Sequence, residues 1–248
     1  MVPPFLAYYG ALQDNTTLMD EAYNQISLYR DALRDSGANN LWKHIVLGSS
    51  GQDPGHWSTG NGWAAMGMLR VVGTYRASSQ SSMYQDKQDT LVGWVEEIVE
   101  GMYSNTQNAP SALFRNYADQ PSTFYDGSST ALMAAVTYRL AILTDGQSTQ
   151  HIPDAERARE ELCGDAGQAG GHIDSDGWLN PVVNPHDFPV QGSHSPEGQA
   201  FVVSMVAGYE AWNTIGQPGA NAAGRPVTKV SIALVLAPCA LVLSVLSL

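Results

Sequence analysis

The sequence reads as an all-α protein built from helical hairpins set around a common centre. Two observations carry that reading. Apolar residues recur at helical spacing in many windows, whereas long strict alternation is hard to find. The stretches between those windows are not simple linkers: they carry aromatics, amides and carboxylates, as in "NLWKHIVLGSSGQDPGHW" and "FRNYADQPSTFYDG". Alternation of helix and long decorated loop gathers functional loops at one end of a helical array. No exact repeat occurs, so a regular solenoid is not supported.

The helices follow in order. Residues 17–34, "TLMDEAYNQISLYRDALR", put Leu18, Ala22, Ile26, Tyr29 and Leu33 on one stripe. Residues 60–76, "GNGWAAMGMLRVVGTYR", repeat the pattern. Residues 90–103 do so again, with Leu91, Val95, Ile98 and Met102. Residues 128–144, "SSTALMAAVTYRLAILT", are apolar nearly all round and read as a deeply buried helix. The last helix, 195–212, opens on Ser195 as N-cap, with Pro196 at the first position and Glu197 in the first turn.

The 248 residues suffice for one domain with a real core. With 44% hydrophobic and 15% charged residues the chain is not disordered. A net charge of -12, without any Lys/Arg block, argues against nucleic acid as a partner. Cys163 and Cys239 set no disulfide framework and no metal spacing, and Cys163 reads as a small buried apolar residue. Residues 1–214 form the expected helical domain, 215–229 a spacer of small and polar residues, and 230–248 an uncharged apolar segment. Small residues, a short polar spacer and a terminal apolar run fit a GPI-attachment signal, with attachment near Gly219 to Ala223 and Asn221 the first choice; a tail-anchored membrane helix and a fortuitous apolar tail are the alternatives. The start, "MVPPFLAYYGALQDN", lacks a basic region and a long apolar run, so it is not a signal peptide. A cell-surface tail without a secretory leader reads as an N-terminally incomplete chain, and the sequon at Asn15 fits a secreted context.

Chemistry concentrates in a few places. In "GHWSTGNGW" the glycines Gly60 and Gly62 permit a tight turn, Asn61 offers an amide, and Trp57 and Trp63 offer flat faces with N–H donors. That set suits a sugar ring, with apolar C–H faces and a hydroxyl rim; the alternative is a capped helix start with both indoles in the core. Trp42 stands near His44, which is either a surface or satisfied core residue or a polar contact or proton-handling group. Asp126, after Phe124 and Tyr125, is either an N-cap or a general acid whose proton is held by burial against rings. Asp174 and Asp176 sit in a D-x-D-G fragment that lacks the rest of a calcium loop and reads as a turn. No HExxH, CxxC pair, phosphate-binding glycine loop or G-x-S-x-G occurs, so no metal or cofactor is expected.

The segments "MVPPFLAYYG", "LWKHI", "GHWSTGNGW", "FYDGSSTALMAA" and "SPEGQAFVVSM", in that order, resemble the unsaturated rhamnogalacturonyl hydrolases, glycoside hydrolase family 105 among the six-hairpin glycosidases, and most closely their secreted fungal members. The resemblance covers residues 1–212 and is most specific at W-x-x-G-N-G-W. It implies an (α/α)6 toroid, here incomplete at its N-terminus. It also implies release of a 4,5-unsaturated uronic acid from pectin-derived oligosaccharides by hydration of the vinyl ether, in place of acetal cleavage by two carboxylates. His44 matches the family's histidine, and Trp57, Asn61 and Trp63 match its W-x-x-G-N-G-W segment; with Trp42 and Thr59 they are the expected substrate-binding residues. Thr59 stands where the family usually has an arginine, so charge that could pair with a substrate carboxylate is missing there. The family's catalytic aspartate falls just upstream of Met1, which leaves Asp126 as the secondary candidate. A fungal wall mannan glycosidase or transglycosidase shares the toroid and often the GPI anchor, but typically carries an Asp-Asp pair, and none occurs here. A non-catalytic, polysaccharide-binding toroid is the remaining alternative.

Overall fold

A computed structural model describes residues 2–106, 109–164 and 171–220. The expected C-terminal signal, with Asn221 and residues 230–248, lies outside the described residues. Among the described residues no helix is long and apolar enough to cross a membrane. Two compact units divide the chain, one ending at Met102 and the other beginning at Tyr103.

The first unit opens with helices α1 (Val2–Leu12) and α2 (Thr16–Leu33). They form a tight hairpin. A Cβ at Gly10 would stand 2.9 Å from Met19 Cγ and 3.0 Å from the Asn15 carbonyl oxygen, so glycine there lets the helices close. Asn15, read as a glycosylation acceptor, caps α2: its Oδ1 accepts the Leu18 N–H at 3.2 Å. The buried stripe of α2 is Met19, Ala22 and Ile26. Leu18 is therefore displaced by its neighbour, and Tyr29 is 50% exposed.

Two short strands, β1 (Arg34–Asp35) and β2 (Leu41–Trp42), pair antiparallel. Asn39 and Asn40 reverse the chain between them in left-handed dihedrals (φ 54° and 65°), which asparagine tolerates. A loop then leads to α3 (Ser58–Ala77), and α4 (Gln85–Ser104) closes the unit. Leu91, Val95, Ile98 and Met102 are fully buried, as their spacing predicts. Glu97 of α4 accepts from Arg30 of α2 at 2.6 Å, and the Arg30 guanidinium lies 4.9 Å from the Trp94 ring centre. The Tyr75 hydroxyl donates to the Met19 carbonyl at 2.5 Å, tying α3 to α2.

The second unit is built on α5 (Gly127–Leu143), which buries fourteen of its 17 residues. Helix α7 (Pro196–Thr214) lies against it: Tyr138 meets Tyr209 at 5.7 Å and Trp212 at 5.5 Å between ring centres. The cap of α7 forms as the sequence indicates, with Ser195 Oγ accepting the Gly198 N–H at 3.0 Å and Pro196 in the first turn. Helix α6 (Ile152–Cys163) has no counterpart in the sequence reading. Its Arg159 is only 7% exposed, yet it is satisfied by two bonds to the Glu156 carboxylate, at 3.1 and 3.2 Å, and by the Tyr209 face at 4.1 Å. Cys163 is buried, at 5% exposed. A hairpin of β3 (Val182–Asn184) and β4 (Asp187–Gly192), with a register shift after Val183, adds to an otherwise helical unit.

Candidate functional site

The site grows from one buried amide. Asn61, in the second turn of α3 and 1% exposed, accepts the Trp42 N–H through Oδ1 at 2.8 Å. Its Nδ2 donates to the Trp42 carbonyl at 3.0 Å and to the Trp57 carbonyl at 3.1 Å. One side chain thus clips strand β2 to the start of α3. Between the two clipped points the loop is held by its own backbone pairs, His44 N–H to the Gly55 oxygen at 3.0 Å and Ile45 with Asp53 at 2.8 and 2.9 Å. This arrangement sets Trp42, His44 and Trp57 on one wall.

That wall faces a pocket of about 310 Å³ within the first unit. Trp42, Lys43, His44, Trp57 and Trp63 line it, with Tyr29 and Leu33 from α2, Pro3 and Pro4 from α1, and Ile26 and Met68 beneath. The His44 ring lies against Trp57, centres 4.6 Å apart, and its Nδ1 sits 2.9 Å from Asp53 Oδ2. Trp42 is 6% exposed and Trp63 is 38% exposed, so one indole forms a floor and the other a lip. Helix α3 begins at Ser58 with Trp57 in the N-cap position, where it makes no side-chain capping bond.

The charged groups close to the pocket form a second layer. Lys43 Nζ lies 3.2 Å from Asp35 Oδ2, and His56 Nε2 lies 3.6 Å from the same oxygen. The Gly37 N–H, donating at 2.9 Å, and then Lys43 hold the Asp35 carboxyl below the usual carboxylate range. Asp35 is therefore a counter-ion for Lys43 and not a proton donor. Among the residues lining the pocket there is no Asp or Glu.

The expected contacts divide. Trp42, His44, Trp57 and Trp63 are brought together at the pocket. Asn61 and Thr59 do not line it: Asn61 is spent on backbone, and Thr59, 3% exposed, turns inward from the first turn of α3. Asp126 is also reassigned. It is fully buried at the N-cap of α5; Oδ1 accepts from Ser128 N at 3.1 Å and Val183 N at 2.9 Å, and Oδ2 accepts from Ser129 N at 3.0 Å. Its oxygens anchor a helix start and a strand, a capping role in place of acid catalysis. Asp174 makes a turn by accepting from Asp176 N and Trp178 N at 3.0 and 2.9 Å. Sequence reasoning missed Tyr29, Lys43 and Asp53. The neighbours of His44 in "LWKHI" pointed at Lys43, but nothing local marks an Asp nine residues on as a histidine partner.

Comparison with known proteins bears on the fold and the family. The family model described as Glycosyl Hydrolase Family 88 matches residues 1–180. No curated protein sequence matches the chain. Among solved structures, a protein from Salmonella enterica described as a possible member of the GH105 family superposes with a TM-score of 0.68 at 20% identity, covering 84% of this chain and 54% of its own. A glycosyl hydrolase family 88 protein from Bacteroides vulgatus gives 0.64 at 13% identity, covering 84% and 60%. The unsaturated glucuronyl hydrolase of Bacillus sp. GL1, responsible for the degradation of glycosaminoglycan, gives 0.59 at 14% identity, covering 82% and 55%. The chain thus spans about half the length of these structures and shares their six-hairpin glycosidase fold. Fold, motif and family model converge: the chain belongs to Glycosyl Hydrolase Family 88.

Proposed function

We propose that this chain carries the sugar-binding wall of a glycoside hydrolase that releases unsaturated uronic acid from pectin-derived oligosaccharides. The observation that carries the reading is the pocket itself: three indoles and an imidazole around 310 Å³, with one ammonium group, Lys43, among the lining residues. Indole faces cover the C–H faces of a pyranose, and their edges meet its hydroxyls. The Lys43 ammonium complements a uronate carboxylate. In the proposed reaction a proton adds to C4 of the C4=C5 double bond and water adds to C5. The hemiketal so formed opens by cleavage of C5–O5 to a C5 ketone, and the hemiacetal left at C1 collapses to an aldehyde and expels the aglycone as its alcohol. The residues lining the pocket contribute by holding the ring in place.

The test uses an unsaturated galacturonyl disaccharide, whose conjugated double bond absorbs in the ultraviolet. Turnover appears as loss of that absorbance. Trp57→Ala is expected to weaken binding about tenfold, read from tryptophan emission, with an unchanged unfolding midpoint. A variant that unfolds puts Trp57 in the core and ends the pocket reading. The absence of carboxyl groups from the lining residues favours a second reading, carbohydrate binding without turnover. Saturable binding with constant absorbance selects it.

A further inference from the structure

His44 is held on three sides. Trp57 packs against its ring at 4.6 Å, its backbone N–H donates to the Gly55 oxygen, and its Nδ1 meets Asp53 Oδ2 at 2.9 Å. Asp53 is itself fixed. Its backbone pairs with Ile45 in both directions, and its Oδ1 accepts the Gly55 N–H at 3.1 Å. The carboxylate and the imidazole are therefore registered to each other by the same loop that builds the pocket wall. A carboxylate only accepts, so the proton in this bond belongs to Nδ1, and the Nε2 of a neutral His44 bears a lone pair.

We propose that Asp53 is a positioning residue for the pocket: it selects the Nδ1–H tautomer of His44 and locks the ring against Trp57, so that His44 presents an acceptor nitrogen to a sugar hydroxyl. The inference rests on the pocket being a sugar site, and it adds the residue that sets the chemical character of His44. The same division of labour, a carboxylate orienting an imidazole that meets the ligand, recurs wherever a histidine must keep one tautomer. The titratable or charged groups lining the same pocket are Lys43, beside His44 in the loop, and Tyr29 on α2; α3 contributes Trp57 and Trp63, and α1 contributes Pro3 and Pro4, none of which titrates.

Nitrogen-15 NMR of the histidine-labelled full chain, under mildly alkaline conditions in which imidazole side chains are neutral, reads the tautomer without any ligand. The His44 signals are assigned by loss in His44→Phe. A protonated Nδ1 with a pyridine-type Nε2 is expected. Asp53→Asn should abolish that signature and weaken binding of the unsaturated galacturonyl disaccharide about tenfold, the loss of one well-aligned hydrogen bond. Asp53→Glu, which restores the carboxylate, should recover part of both. A wild-type His44 with its proton on Nε2, or Asp53→Asn binding the disaccharide as wild type does, overturns the inference and leaves the pocket standing. A wild-type chain that shows the Nδ1–H tautomer but binds no uronide overturns the sugar reading, and the proposed role with it.

Discussion

Removing the Asn61 amide is the sharpest perturbation of this architecture. In Asn61→Ala the Trp42 N–H loses an acceptor at 2.8 Å, and the Trp42 and Trp57 carbonyls each lose a donor, at 3.0 and 3.1 Å. The site is 1% exposed, so water does not replace these partners. An orphaned buried N–H costs about 1–3 kcal/mol and each weakened carbonyl a fraction of that, for a total of about 3 kcal/mol. The Trp57 carbonyl retains the Asn61 backbone N–H at 3.1 Å, which keeps its share small. For a cooperative unit of about 100 residues, a loss of this size lowers the melting temperature by roughly 10–20 °C. Urea and thermal unfolding followed by tryptophan emission measure it directly. Asn61→Asp preserves shape and the acceptor but removes the donor half and faces two carbonyls with an anion, so it should be at least as damaging. A loss below about 1 kcal/mol for Asn61→Ala, combined with abolished sugar binding, would make Asn61 a ligand contact instead of a clamp.

Asp126→Ala removes three backbone acceptor contacts from a fully buried cap and should cost about 2–4 kcal/mol in the second unit, measured by urea unfolding. Gly101→Ala gains helix propensity on an exposed helix, but here its Cβ would stand 2.5 Å from the Asn39 carbonyl oxygen, so a net loss of about 1–3 kcal/mol is expected. Burial pushes the Tyr84 hydroxyl up to about 12 and raises that of Tyr75 too, against an ordinary value of 10.0. The folded state thus keeps both phenols neutral; their contribution is intact below about pH 10 and is lost as pH rises through about 12. An absorbance titration should show these phenols ionising together with loss of helical circular dichroism, and eleven tyrosines titrating as one set near 10 with the helices intact would contradict it.

What the sequence discloses follows from how each element is buried. Helices α4 and α5 are legible because their apolar pattern is long and α5 is sealed on nearly every side. Helix α7 is legible because Ser195, Pro196 and Glu197 spell out its start. Helix α1 is not, because its pattern is inverted. Its buried residues are Pro3, Ala7 and Gly10, whereas Phe5, Tyr8 and Leu12 are each more than 60% exposed. Helix α6 hides behind its charges, since a buried arginine satisfied by Glu156 looks like a surface residue in one dimension. The candidate site was half legible. Indoles and an imidazole announce a binding wall by their size and chemistry alone. An amide that grips backbone and an amide that grips sugar are the same residue on paper, which is why Asn61 needed its three partners to be seen. Asp126 and Asp53 show the converse: two carboxylates of equal chemical promise, one absorbed by backbone N–H groups and the other aimed at a histidine.

Helix α5 offers almost no outward side, with Arg139 the exposed exception along its middle. Its surface is largely spoken for by neighbours, so drift in this segment is confined to swaps of nearly equal volume and polarity. Any probe, affinity handle or crosslinker meant to report on this helix without disturbing it has one natural address, residue 139.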